Sequence, residues 1–139
     1  MTTMVILSVD YGDARTGLAV CDKLGMLASP VGVIAESYAP KVLAKICEQV
    51  ERLGVQRIVV GLPRNMDGSF GERAQKCQSF AEQLQAQSGV ETVTWDERLT
   101  TVAAHRALSD VNVRGKKRKA VVDAVSAVMI LEDYLRTQK

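Results

Sequence analysis

Apolar residues recur along this chain at two spacings, and the change from one to the other sets out its elements. Val5 to Val9 is continuously apolar and β-branched apart from Ser8, the pattern of a buried strand. "YGDARTG" follows as a turn punctuated by Gly12 and Gly17. "LAVCD" reads as a second strand, which makes a hairpin. "MLASPVGVIA" reads as a third, where Pro30 predicts an edge position or a break. From Pro40 the period lengthens: Val42, Leu43, Ile46, Cys47, Val50 and Leu53 fall on one helical face. Pro40 suits the first turn of that helix and Gly54 its C′ position. "RIVVGLP" is a buried strand stopped by Pro63, and "RNMDGSFGE" is a polar loop. Ala74, Cys77, Phe80, Ala81 and Leu84 predict a helix over 72–88, closed by Gly89. "VETVTW" alternates as a strand, and Thr100 or Thr101 can cap a short helix through Leu108. After a basic loop, "AVVDAVSAVMILEDYL" reads as a long, mostly buried helix.

The predicted order is β-β-β-α-β-α-β-α-α. Three strands form a meander, and the β/α units after it require parallel pairing. The expectation is an α/β fold: a mixed five-stranded sheet with helices over both faces. A length of 139 residues suits one domain, 1–139, with a core large enough to need no staples. With 47% apolar and 24% charged residues the balance is that of an ordinary globular protein, and no long uncharged apolar run could span a bilayer. "MTTMVILSVD" has no basic n-region, so it does not read as a signal peptide. Cys21, Cys47 and Cys77 are odd in number and far apart, which fits reduced core residues of a cytoplasmic protein better than disulfides or a zinc site.

A net charge of +2 says little about partners, but its distribution says more. "RGKKRK", Arg114 to Lys119, places five basic residues in six. It is either a solvated loop or a patch that contacts phosphate.

Three places with carboxylates stand out. Asp10 ends the first strand, and in open α/β sheets ligands gather beyond the carboxyl ends of strands. Alone it could equally be a turn residue that accepts bonds from nearby amides. The pair Asp96–Glu97 ends a later strand, read here as an interior one. Acids also favour the N-terminus of a following helix, and of two adjacent strand residues only one can face Asp10. Asp123 lies in "AVVDAVSAVMI", among apolar neighbours. A buried carboxylate is costly unless it is paired or coordinates a metal. A Lys119–Asp123 pair at i, i+4 has the weaker orientation and contributes at most a few tenths of a kcal/mol. Together these acids form an oxygen-donor set for hard divalent cations such as Mg²⁺. Two such ions about 4 Å apart suit phosphodiester hydrolysis. The basic run before Asp123 is then placed to hold a polyanion. His105, on a helix after "TTVAA", reads as a surface residue, and no Ser-His-Asp or Cys-His arrangement is evident.

In this order, "DYGDARTGLAV", "IVVGLPRNMDGS", "DERLTT" and "VVDAVSAVMILEDYL" resemble the YqgF/RuvX family of RNase H-like proteins, described as pre-16S rRNA nucleases and related to RuvC-type Holliday junction resolvases. The likeness extends over almost the whole chain. It implies an RNase H-like fold and a catalytic, metal-binding cluster of Asp10, Glu97 and Asp123, with Asp96 as the fallback at the strand end. It implies Mg²⁺ or Mn²⁺, two ions, as cofactor. It also brings the "RNMDGS" loop near the site, with Asn65 and Asp67 as contributors. Arg15 and Arg98 could meet phosphate or brace the acids, a task that suits the arginine fork. Lys116, Lys117, Arg118 and Lys119 complete the substrate-binding set. This sequence departs from the family in two places. Ala14 stands where a lysine is common, and Ala120 to Val122 are apolar where members often read lysine-glycine-lysine.

The resemblance thus implies a metal-dependent endonuclease acting on structured RNA, in maturation of the 5′ end of 16S rRNA during ribosome biogenesis, on the ribosome and with no membrane partner. Trp95 is the only tryptophan, so recognition would lean on backbone and shape more than on base stacking. The same chemistry on a four-way DNA junction would make the protein a Holliday junction resolvase, whose two symmetric cuts imply a homodimer. "DYGDARTG" also resembles the phosphate loop of actin-like ATPases and sugar kinases, but those need a second lobe that this length does not supply. A nucleic-acid-binding factor without catalysis would gain nothing from Asp123.

Overall fold

The computed structural model describes residues 4–22, 27–64, 67, 69–97 and 116–138. Its elements are β1 (Ile6–Asp10), β2 (Thr16–Cys21), β3 (Ala28–Ile34), α1 (Ala39–Leu53), β4 (Arg57–Leu62), α2 (Glu72–Ser88), β5 (Glu91–Asp96) and α3 (Lys116–Thr137). The strands form a five-stranded sheet in the order β3-β2-β1-β4-β5. The meander β1-β2-β3 is antiparallel, and β4 and β5 are added in parallel to β1. Each parallel step crosses over through one helix, as parallel neighbours require.

Local signals account for the boundaries. Pro40 stands in the first turn of α1, where its missing N–H costs nothing. Gly54 and Gly89 end α1 and α2 with φ of 66° and 72°, the left-handed conformation that glycine adopts without strain. β3 lies at an edge, as Pro30 predicts, and its register with β2 shifts between Leu18 and Ala19.

Alternation along the strands separates two cores. Leu7, Val9, Leu18, Ile58 and Val60 point to one face and pack with Val42, Leu43 and Ile46 of α1 and Phe80 and Leu84 of α2. Ile6, Ala19, Cys21, Val59, Val93 and Trp95 point to the other and meet Ala127, Ile130, Leu131 and Tyr134 of α3. Cys21 and Cys77 are buried and Cys47 is half-buried; burial pushes the Cys21 and Cys47 thiols up.

Two expectations change. β5 is an edge strand, not an interior one, so β4 separates its end from that of β1. The sheet's order depends on crossovers that hydropathy does not encode. The basic run is also not all loop: α3 begins at Lys116 and includes Lys116 to Lys119. Lysine and arginine are good helix formers, but a run of them carries no apolar period to reveal it. The predicted helix through Leu108, with Thr100, Thr101 and His105, lies outside the described residues.

Candidate active site

Asp10 is the last residue of β1, paired with Gly17 of β2. Ile6 packs on the α3 side, and Ser8 Oγ donates to the Ala127 carbonyl of α3 at 2.6 Å. Alternation puts Asp10 on that same face, where it is only 6% exposed. Glu97 follows the last residue of β5 and is 3% exposed. Its carboxylate reaches back over β4. A Cβ added at Gly61 would stand 2.5 Å from Glu97 Oε1 and 2.6 Å from Ile130 Cδ1 of α3. Val9 of β1 is level with Val60 of β4, so Gly61 is next to Asp10 across the ladder. The strand between the two acids therefore carries no side chain where they face α3. Gly61 leaves free the space on the α3 face of β4 into which the Glu97 carboxylate reaches.

Asp96 is on the opposite parity. Trp95 packs on the α3 face, so Asp96 turns away from it, and its Oδ2 lies 3.5 Å from Arg64 Nη1. Of the adjacent pair, Glu97 is the acid on the face of Asp10.

The turn after Asp10 is tight. A Cβ at Gly12 would stand 2.2 Å from the Arg15 carbonyl oxygen, so glycine is needed for the chain reversal itself. Gly17, read as part of the turn, is already in β2. Arg15 is half-buried at the end of this turn. Asp13 is gripped from α2. Lys76 Nζ lies 3.2 Å and Arg73 Nη1 2.7 Å from its Oδ1, and these bonds hold its carboxyl below the usual carboxylate range. Asp67 Oδ1 accepts bonds from the N–H and hydroxyl of Ser69, which shapes the loop after β4. Asn65 and Arg98 lie outside the described residues. Lys116, Lys117, Arg118, Lys119 and Asp123 belong to α3, but their side chains lie outside the description. Among the described residues no three His, Cys, Asp or Glu side chains are grouped to hold a metal.

Two residues were missed from sequence. Gly61 sits in an otherwise apolar strand, and a glycine inside a strand is itself a sign of close approach. Ser8, the polar residue in the middle of β1, ties that strand to α3.

Asp10 and Glu97 offer only oxygen donors, the chemistry that hard divalent cations prefer. A divalent cation is one kind of partner that compensates buried carboxylates.

The comparisons bear on the family and the fold. A family model described as "RuvX: Holliday junction resolvase" matches residues 4–137. A protein of Halothermothrix orenii named "Putative pre-16S rRNA nuclease" is 44% identical over 135 residues, covering 97% of this chain and 96% of its own length. A protein of the same name from Listeria monocytogenes is 43% identical, covering 96% and 99%. Among solved structures, "T. thermophilus RuvC in complex with Holliday junction substrate" superposes with a TM-score of 0.62 at 14% identity, covering 98% of this chain and 97% of that one. The fowlpox virus Holliday junction resolvase gives 0.54 at 12% identity, covering 98% and 100%. These structural likenesses establish the RNase H-like fold of the resolvases. By sequence, the chain belongs to the RuvX family of nucleases, hydrolases that act on the ester bonds of nucleic acid.

Proposed function

We propose that this protein is a divalent-metal-dependent endonuclease that cuts structured RNA and matures the 5′ end of pre-16S rRNA. It would act as a single domain, in the cytoplasm and on assembling ribosomes. The observation that carries the reading is the burial of Asp10 and Glu97 on one sheet face, with Gly61 clearing the space between them. The names of the curated relatives favour the RNA substrate.

In this reading Asp10, Glu97 and Asp123 hold two Mg²⁺ or Mn²⁺ ions. Asp123 comes four residues, one helical turn, before Ala127, whose carbonyl is tied to Ser8 of β1. When bound, the ions supply charge stabilisation at the scissile phosphate and lower the pKa of the attacking water. The chain's own contribution is geometric. β1 presents Asp10 from a strand paired on both sides. The empty face of Gly61 lets Glu97 fold inward. Asp96 serves Arg64 instead of the site. Arg15, Asn65, Arg98, Lys116, Lys117, Arg118 and Lys119 contact the phosphates that flank the cut, with Asp67 shaping the loop that carries Asn65. Such contacts orient a backbone without reading its bases.

A second reading, favoured by the description of the family model, is resolution of four-way DNA junctions by a homodimer. The test is direct. Purified protein is incubated with precursor 16S rRNA and, separately, with a four-way DNA junction, each with Mg²⁺, Mn²⁺ or EDTA. Cleavage of the rRNA near the mature 5′ end, abolished by EDTA and by Asp10→Asn, is expected. Cleavage of the junction alone would replace the RNA substrate with DNA. Cleavage that survives Asp10→Asn would overturn the site.

A further inference from the structure

The α3 face of the sheet leaves one constraint on Asp10 unexplained. Its ladder to β4 ends one residue earlier, at Val9–Val60, while Asp10 itself pairs only with Gly17 of β2. Beyond Asp10 the chain leaves the β1–β4 ladder and enters a reversal. Something other than the sheet must fix the backbone there.

α2 supplies it from the opposite face. One guanidinium nitrogen of Arg73 donates to the carbonyl oxygen of Tyr11, the residue immediately after Asp10, and the other donates to Asp13 Oδ1 at 2.7 Å. Lys76 Nζ donates to the same Asp13 oxygen at 3.2 Å. The Tyr11 ring stacks on Phe80 of α2, with centroids 3.9 Å apart and planes within 11°, and Arg73 lies 5.7 Å from the centroid of that ring. Backbone, ring and side chain of the turn are thus all held by one helix. A second cation aimed only at Asp13 could not do this. The fork of arginine reaches two acceptors at fixed spacing, and a lysine ammonium does not reproduce that geometry.

We propose that Arg73 is a positioning residue for Asp10, acting through the Tyr11 peptide from the far side of the sheet. The proposal rests on the reading of Asp10 as a metal ligand. Outer partners that orient a ligand typically govern affinity or activity by about 10–100-fold. Arg73 is remote from the α3 face, so its loss alters where Asp10 sits rather than how substrate is held.

The test compares Arg73→Met and Arg73→Lys with Ile58→Ala, a destabilising change in the core on the same side of the sheet. Cleavage rate per folded molecule, KM for precursor rRNA, Mn²⁺ affinity by electron paramagnetic resonance and thermal midpoint are measured for each. Arg73→Met is expected to lower kcat by about 10–100-fold and weaken Mn²⁺ binding by about tenfold, with KM changed less than about threefold. Arg73→Lys is expected to fall between Arg73→Met and the parent. Ile58→Ala is expected to lower the thermal midpoint while kcat and Mn²⁺ affinity stay at parental values. If Arg73→Met behaves like Ile58→Ala, Arg73 is only structural and the proposal is overturned. Should Arg73→Met fail to fold, Arg73→Lys decides on the same readouts. Parent protein that binds no Mn²⁺ overturns the metal reading of Asp10 and, with it, the proposal. Parent protein that binds Mn²⁺ but leaves rRNA intact overturns only the substrate, and the Mn²⁺ comparison still decides on Arg73.

Discussion

The two faces of the sheet are made by the same strands, yet they differ in kind. On the α1–α2 side, Leu7, Val9, Ile58 and Val60 form a continuous apolar layer. On the α3 side the same strands present Ser8, Asp10 and Gly61, and Glu97 follows at the end of β5, so polar or empty positions interrupt the core. Period-two alternation makes this possible, because each strand can give one parity to packing and the other to chemistry. The acids sit at the carboxyl ends of β1 and β5, the ends at which ligands gather in open α/β sheets.

The largest expected effect separates Glu97 from its neighbour. Glu97→Gln should lower the rate of metal-dependent cleavage by about a thousandfold, or about 4 kcal/mol of barrier. Asp96→Asn, on the other parity, should stay within a few-fold of the parent in the same assay. Equal losses would show that both carboxylates serve the site. On the apolar face the effect should fall on stability. Ile58→Ala empties a fully buried position and should cost about 2–5 kcal/mol in urea unfolding, with little change in rate per folded molecule. Gly61→Ala joins the two faces of the comparison. Its methyl would meet Glu97 Oε1 and Ile130 Cδ1, so a loss of about 1–3 kcal/mol in stability should accompany a fall in activity of about a hundredfold. Adding Ile130→Val should recover part of the stability; recovery of none would place the strain elsewhere.

Much of this was legible in the sequence because local rules set it. Pro40 and Gly54 bound α1, and Gly89 closes α2, as their backbone preferences require. The apolar residues that predict α2 are those that the helix buries: Ala74, Cys77, Phe80, Ala81 and Leu84. The edge position of β5 was not legible, because strand order depends on how each crossover returns to the sheet. Nor was it legible which of Asp96 and Glu97 shares the sheet face of Asp10, which needs the facing of Trp95 to fix the parity. Gly61 passed as one more residue of an apolar strand because its role is to lack a side chain. Arg73 and Asp13 are 60 residues apart, so their bond exists only once α2 has folded back over the hairpin turn.

The outer border of the meander carries a separate consequence. An exposed sheet edge is a template on which another chain can add a strand. At β3, Pro30 has no amide hydrogen to offer, and the register shift opposite Leu18 and Ala19 bends the ladder out of line. Pro30 and the bulge turn this flank into a surface that a neighbouring polypeptide cannot zip onto.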